Sequence, residues 1–403
     1  MTETNALIQN AGISIHFQPV ASLRSGKVIG FEALARTSSN SAQVQDMFLQ
    51  AKRDGDVLFL DRHCRELAMV GFAKIRSVFP EALLFLNVEP SIVDEGVVGS
   101  GKFRELCMSQ GVPPDSVVIE VIESEVKNEQ ALIEFCQLQK RFGFLIAIDD
   151  MGAGHSNLNR IPQFQPDIIK IDRALLSGLH NDYKKQQLVR FLTDLSSNIG
   201  TLILGEGLES QEEVQEFYSL GGDLAQGFYF SKPVSLEETL QLDLASKLKW
   251  TLEHSKDAII NRLGKRRAKI SHYQLMAKEL TKELIDREPE DYADILKSGE
   301  FLSEGVECTY VIDRHGKQIT DTFLYDPMFR PKNGVLFQCA SKGDFHTYKD
   351  YYYTPFQSGI DLFTSEPYLS KATGNLCRTY SVRFAPHNHE ECILCLDVLE
   401  NGE

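Results

Sequence analysis

The chain has 403 residues, enough for two or three domains of about 100 to 200 residues each, and its hydrophobic fraction of 42% and charged fraction of 25% exclude a largely disordered, collagen-like or disulfide-dense polypeptide. Lys and Arg number 42 against 57 Asp and Glu, a formal net charge of −15. That sign is wrong for neutralising nucleic-acid phosphates over a broad surface, so no DNA or RNA polymer is expected as a partner.

From residue 13 to about 234, short β-branched runs alternate with segments of helical period, the pattern of βα units around a parallel sheet. Strands are predicted at Ile13 to Val20, Val28 to Ala35, Leu83 to Val88, Val117 to Ile122, Phe144 to Ile148, Ile168 to Ile171, Leu202 to Gly205 and Leu224 to Gln226. Helices are predicted at Leu58 to Arg76, Gly101 to Ser109, Glu129 to Arg141, Lys184 to Ile199 and Gln211 to Ser219. The order predicts an α/β fold, a modified TIM (β/α)8 barrel. Only Leu23 to Lys27 separate the first two strands, with Ser25-Gly26 as the turn, so these two should form an antiparallel hairpin. Residues 235 to about 285, rich in Leu, Lys, Glu and Ala, predict one or two long connecting helices, whose basic run Lys265-Arg266-Arg267 reads as a solvated face. From Cys308 the texture changes to short β runs at Cys308 to Asp313, Gln318 to Thr320, Gly334 to Cys339, Leu376 to Phe384 and Cys392 to Val398, which predict a smaller α+β domain. The expected division is a barrel over 1–240, linker helices over 241–290 and a second domain over 291–403.

Eight cysteines lie far apart inside apolar stretches, as buried thiols do in a reducing compartment. Cys392 and Cys395 have metal-like spacing, but no second pair or histidine couple completes a zinc site, so a structural role is expected. No apolar run approaches the roughly 20 residues that cross a bilayer, and Met1 to Gln9 lacks a signal core, so no membrane segment and a cytoplasmic location are expected.

In such a barrel, chemistry sits where strands end at their carboxyl side. There stand Glu32, Asn87, Glu120, Glu123, Asp149-Asp150, Lys170, Asp172, Glu206, Glu209 and Gln226. Any one of these acids alone would read as a helix cap or a surface charge. As a set they would raise one another's pKa unless cations neutralise them, and oxygen ligands plus an amide, with no Cys or His cluster, favour Mg²⁺ or Mn²⁺ over zinc. Adjacent Asp149 and Asp150 would let one carboxylate bridge two ions, a geometry suited to two-metal phosphodiester hydrolysis. Lys170 would orient or deprotonate the attacking water. Ca²⁺ binds oxygen sites of this type and is expected to inhibit.

These residues resemble the EAL domain, which hydrolyses the bacterial second messenger cyclic di-GMP to linear pGpG. The resemblance covers about residues 13 to 234, through Gln18-Pro19, Glu32-Ala33-Leu34 with Arg36, Asp61-Arg62, Asn87, Glu120 to Glu123, Asp149-Asp150, Lys170-Ile171-Asp172, Glu206-Gly207 and Gln226-Gly227-Phe228. It implies Glu32, Asn87, Glu120 and Asp149 as ligands of a first metal, with Asp149, Asp150 and Glu206 around a second. It implies that Lys170 holds the hydrolytic water, that Gln226 stands close to water and metals, and that Glu32, Glu206, Lys170 and Gln226 are catalytic. Gln18 and Arg36, with Asp172 and Glu209, are implied in substrate binding. Glu123 is implied to steady the loop after Asp150 by accepting N–H bonds from Gly152 to Ser156, and that loop, with the helix after Ile168 to Ile171, is implied in a homodimer contact. Two positions depart from the pattern: Met151 replaces the usual phenylalanine, a volume-conserving swap, and Glu89 stands where a serine is common. The complete acid set favours catalysis. The alternatives are a silent receptor that holds cyclic di-GMP for a protein partner, or a metabolic barrel enzyme acting on small phosphates. The second lacks the Gly-rich phosphate turn it would need near the last two strands.

The carboxy-terminal segment holds Tyr310-Val311-Ile312-Asp313, Tyr348 to Pro355, Ser365 to Ser370 and Thr373-Gly374. It resembles PAS-like sensory domains of the Cache type, the module that follows EAL domains in the YkuI-like group. The alternative is a packed β domain that serves dimerisation. If a small-molecule ligand binds, Tyr348, Tyr353 and Tyr368 are the expected walls, with Arg378 and Arg383 for an anionic group. The helices between about 240 and 285 would transmit a shift to the barrel.

Overall fold

The computed structural model describes residues 12–37, 44–94, 101–121, 128–152, 158–299, 302, 304–325, 336–387 and 389–400. It divides into two units, Met1–Ile259 and Ile260–Glu403, with the boundary inside a single 41-residue helix, Ala245–Ile285.

In the first unit, strands β1 (Ile13–Ser22), β2 (Lys27–Thr37), β3 (Leu83–Asn87), β4 (Val117–Val121), β5 (Leu145–Met151), β6 (Ile168–Ile171), β7 (Leu202–Gly205) and β8 (Leu224–Ala225) close into a barrel in chain order. Strand β1 runs antiparallel to both β2 and β8, whereas β2 through β8 are parallel. The turn after Ser22 is too short for a crossover helix, which is why this one strand is reversed.

Helices Val57–Ile75, Lys102–Gln110, Glu129–Arg141, Tyr183–Ile199 and Gln211–Ser219 bury apolar side chains in one core with the outer strand faces. Their starts are encoded locally: Asn128 caps one by accepting from the Ala131 N–H, and Ser210 and Glu213 form a capping box on another. A further helix, Val44–Asp54, falls where none was predicted. It buries only Met47 and Ala51, too thin a stripe to register as helical period.

The inner strand faces form a second apolar cluster of Val20, Phe85, Val118, Ala147, Ile168, Leu204 and Leu224. Every strand except β2 contributes one of these residues. On β2 the equivalent place is Gly30, where a Cβ would stand 2.6 Å from the Leu83 carbonyl oxygen and 2.8 Å from the Phe85 ring.

The second unit is an antiparallel sheet of β9 (Val306–Asp313), β10 (Phe323–Leu324), β11 (Leu362–Thr364), β13 (Leu376–Phe384) and β14 (Cys392–Leu399), in the order β10-β9-β14-β13-β11, with β12 (Tyr368–Leu369) paired to β13. Val306, Val311, Leu394, Leu396 and Val398 pack against Tyr273, Met276, Leu280, Leu284 and Tyr292. Cys308, Tyr310, Ile312, Ile393 and Cys395 pack against Tyr351 of the helix Asp350–Ser358.

Two expectations need correction here. Residues 336–339 of the predicted run Gly334 to Cys339 form no strand, and 334–335 lie outside the described residues. Among the described residues the run Gln318 to Thr320 contributes one isolated bridge, Ile312 with Gln318, rather than a strand. All eight cysteines are free, and Cys392 and Cys395 join different apolar clusters, as residues three apart on a strand do, so they do not converge on one ion. Among the described residues, no helix is long and apolar enough to cross a membrane.

Candidate active site

The polar residues at the barrel mouth follow from the two-residue period of the strands. Two positions beyond Phe85, Val118, Ala147, Ile168, Leu204 and Leu224 of the inner layer come Asn87, Glu120, Asp149, Lys170, Glu206 and Gln226. On reversed β1 the step from Val20 leads back to Gln18, and on β2 the step from Gly30 leads to Glu32. Gln18 and Glu32 are direct cross-strand partners. All eight strands thus raise one polar residue each in the layer above the apolar one.

Lys170 is the hub of this layer and is 1% exposed. Its Nζ lies 2.7 Å from Glu120 Oε1, 3.1 Å from Asp149 Oδ2 and 2.6 Å from Glu206 Oε1. Glu32 accepts from Asn87 Nδ2 at 2.9 Å and from Gln226 Nε2 at 2.6 Å. The Gln226 amide also donates to Gln18 Oε1 at 3.1 Å, and Gln18 Nε2 donates to the Ser231 carbonyl at 3.0 Å. The chain can turn away after Gln226 because Gly227 has no Cβ; one there would stand 2.1 Å from the Leu208 carbonyl oxygen.

Strict alternation would send Asp149 and Asp150 to opposite faces. The β5–β6 register slips between Ile148 and Met151, and Asp150 takes a left-handed φ of 60°, so the two form a bulge. The Asp150 N–H donates to Asp149 Oδ1 at 2.9 Å, and oxygens of Asp149, Asp150 and Glu206 all lie within 4.8 Å of one another.

Burial works against charge at Lys170, but the carboxylates of Asp149, Glu120, Glu206 and Glu32 outweigh it and hold the ammonium well above its ordinary value. Burial, then repulsion from Glu32, pushes Glu120 well up, while burial with Asp149 and Glu32 nearby pushes Glu206 up to about 8. Burial also opposes ionisation of Glu32, yet Lys170 and the amides of Gln226 and Asn87 more than offset it and draw that carboxyl below its usual range. Neither Glu120 oxygen accepts a well-directed hydrogen bond, although Oε1 is within ion-pair reach of Lys170. A buried carboxylate left in this state, among further acids that share one ammonium, fits a site for divalent cations with oxygen ligands. Asp149, Asp150 and Glu206 bring their oxygens close enough together to hold one ion, while Glu32 and Glu120 stand beside them and Asn87 turns its amide nitrogen to Glu32.

The remaining predicted residues stand apart from this cluster. Arg36 is four residues beyond Glu32 on the same strand face; its guanidinium donates to the Ala35 carbonyl at 2.8 Å and pairs with no carboxylate among the described residues. Asp172 caps the helix Arg173–Leu176 through the Ala174 N–H, and Glu209 pairs with Arg173 at 2.9 Å; among the described residues neither bonds to the central acids. Glu123 and residues 153–157 lie outside the described residues. Met151 is buried in the outer core, and Glu89 is engaged by Lys52 at 2.7 Å and Ser91 Oγ at 3.0 Å.

A family profile for the EAL domain matches residues 2–233. The chain belongs to the EAL domain family. RocR of Pseudomonas aeruginosa, named a cyclic di-GMP phosphodiesterase, is 27% identical over 233 residues, covering 56% of this EAL chain and 59% of RocR. The Bacillus subtilis YkuI protein, solved with substrate c-di-GMP and calcium, matches over 100% of both chains with a TM-score of 0.80 at 21% identity, a likeness of fold. BlrP1 of Klebsiella pneumoniae, solved with manganese and cyclic di-GMP, is 29% identical with a TM-score of 0.51, covering 55% of this chain and 56% of that one. The EAL chain spans 28% to 59% of the length of the curated relatives it matches.

Beyond the EAL barrel, the second unit contains a cavity of about 430 Å³. Tyr348 and Tyr368 line it, but Tyr353 and Arg378 do not. Tyr353 is two residues past buried Tyr351 on a helix, hence turned outward, and is 42% exposed. Arg378 is buried elsewhere, donating to the Ser365 carbonyl at 2.6 Å and lying 3.5 Å from Glu400, while Arg383 pairs with Asp361 at 2.7 Å. The lining residues Asp397, His346, Lys349 and Lys371 were not foreseen, although an acid inside the apolar run Cys392 to Val398 was a readable signal.

His346 Nε2 is 2.8 Å from Gln318 Oε1 and its Nδ1 is 3.1 Å from the Tyr351 hydroxyl, a neutral ring's pairing. Burial, then Lys349, lowers its pKa from 6.5 to about 4. Between those values the unfolded chain binds the proton first, so the stabilisation is complete above about 6.5 and is lost as pH falls toward 4. His346→Gln is therefore expected to flatten the dependence of the second unit's unfolding midpoint on pH in that window, an effect of up to about 3 kcal/mol. A slope equal to wild type would assign the acid sensitivity to other groups.

Proposed function

We propose that this EAL protein hydrolyses cyclic di-GMP to linear pGpG with two Mg²⁺ or Mn²⁺ ions. The observation that carries this reading is the eight-strand polar layer, in which buried Glu120 lacks a hydrogen-bonded partner beside Glu32, Asp149, Asp150 and Glu206. The two ions, when bound, would supply Lewis-acid stabilisation of the attacking and leaving oxygens. The chain's own residues do the rest. Glu32, Asn87, Glu120 and Asp149 would hold one ion in place, and Asp149, Asp150 and Glu206 would hold the other. Lys170, whose ammonium stands among these acids, would donate a hydrogen bond that orients the attacking water. Gln226 braces Glu32 and Gln18, so the dinucleotide meets a pre-set floor, and Arg36, which pairs with no carboxylate among the described residues, offers its guanidinium to phosphate. Asp172 and Glu209 contribute contacts from the rim.

The functional division follows residues 1–240, 241–290 and 291–403, with the carboxy-terminal part regulating a cytoplasmic homodimer of the barrel. The relatives' names and the acid set support the enzymatic reading. Incubating purified protein with cyclic di-GMP and Mn²⁺, then resolving products by chromatography, should yield pGpG, and substituting Ca²⁺ should suppress it. Unreacted nucleotide at saturating Mn²⁺ would leave a receptor instead of an enzyme.

A further inference from the structure

The second unit's cavity carries charges that barrel chemistry does not use. Asp397 forms part of its floor and is 4% exposed. Its Oδ1 accepts from Thr379 Oγ1 at 2.7 Å, while its Oδ2 lies 3.3 Å from the Tyr368 hydroxyl and 3.5 Å from Cys308 Sγ. These are neutral donors, and no Lys, Arg or His pairs with Asp397 among the described residues. Burial pushes this carboxyl up to about 6, which leaves it mostly ionised at neutral pH.

A second acid stands close behind. The β9–β14 register slips at Asp397/Val398, making Glu307 the extra residue of a bulge and turning it to the side of Cys308. A Glu307 oxygen, Cys308 Sγ and an Asp397 oxygen lie within 4.8 Å of one another. Glu307 is wholly buried, and its Oε2 takes no hydrogen bond. The other Glu307 oxygen accepts from Thr373 and Asn375, again neutral donors, so among the described residues the two buried acids have no paired cation, and the floor suits an incoming positive group.

Toward the mouth, which exposed Asp344 also lines, stand two lysines. Lys349 Nζ lies 5.0 Å from the Tyr368 ring centre and 5.2 Å from that of Tyr348, and Lys371 Nζ lies 5.5 Å from the Tyr348 ring. Neither lysine pairs with a carboxylate among the described residues. Tyr368 spans the two poles, its hydroxyl toward Asp397 and its ring beside Lys349. Tyr310 and Tyr351 complete the walls with aromatic faces that attract a cation, and about 430 Å³ suffices for a small organic molecule.

We propose that this cavity binds a small zwitterion with a primary ammonium, an α-amino acid or close analogue, its ammonium on Asp397 and its carboxylate toward Lys349 and Lys371. A metal ion would satisfy the floor alone and leave the two ammoniums, which have only tyrosines for neighbours in these contacts, without an anion. The test uses the full chain, with thermal unfolding and calorimetry against the standard L-amino acids at millimolar concentration, each beside its 2-oxo acid and its decarboxylated amine. At least one amino acid should raise the unfolding midpoint by mass action and bind about tenfold or more tightly than either truncated analogue. Asp397→Asn should abolish that response. The Lys349→Ala/Lys371→Ala double variant alters exposed or half-buried side chains, should weaken binding by about tenfold or more, and decides the matter if Asp397→Asn fails to fold. No response to any amino acid, equal binding of the 2-oxo acid, or a response to Zn²⁺ alone overturns the proposal. The readout is binding rather than turnover, so its failure is distinguishable from failure of the phosphodiesterase reading.

Discussion

Asp149→Asn is expected to reduce cyclic di-GMP hydrolysis by about a thousandfold or more. The substitution keeps the shape of the side chain, and the amide oxygen can still accept the Asp150 N–H, so the bulge that aims both residues at the mouth should survive. What changes is charge. Asp149 belongs to both proposed ligand sets and also lies 3.1 Å from Lys170 Nζ, where the new NH2 group would oppose an ammonium. Metal occupancy followed by Mn²⁺ titration should weaken in parallel with product formation on chromatography. A variant that keeps more than about a tenth of wild-type turnover at saturating Mn²⁺ would remove Asp149 from the bridging role.

Lys170→Met should separate two duties of one side chain. Methionine retains an apolar stem but deletes the ammonium that Glu120, Asp149 and Glu206 share, so those acids face one another in a nearly dry space. In chelator the variant should lose about 3–5 kcal/mol of stability, the usual cost of breaking a buried pair from one side. Mg²⁺ or Mn²⁺ should return much of that loss, because the ions supply the missing charge and bind only the folded barrel. Turnover should nonetheless stay lower by about 10² to 10³, the cost of losing one preorganised hydrogen-bond donor. Normal turnover would cancel the water-orienting role, and an unchanged melting midpoint in chelator would show that the acids do not need Lys170.

The barrel was legible because its strands are short β-branched runs whose polar residues fall at even spacing from apolar ones, as in Val118 and Glu120 or Ile168 and Lys170. The reversed first strand was legible from the length of one turn. Register slips were not, since a bulge leaves no composition behind: nothing in Asp149-Asp150 announces that Asp150 adopts a φ of 60°, and nothing in Val306 to Cys308 announces the extra residue Glu307. Tertiary context also overrode local preference. The tyrosines at 351–353, good strand formers, sit in the helix Asp350–Ser358 because Tyr351 finds burial against Tyr310 and Cys395. Arg378, expected at a ligand, is instead consumed by the Ser365 carbonyl and Glu400, which only the folded chain reveals.

The ring of Val20, Phe85, Val118, Ala147, Ile168, Leu204 and Leu224 lies directly beneath the acids and makes the barrel a blind well. Hydrocarbon closes the far end, so any ion or nucleotide that the acids hold would have to arrive and depart from above.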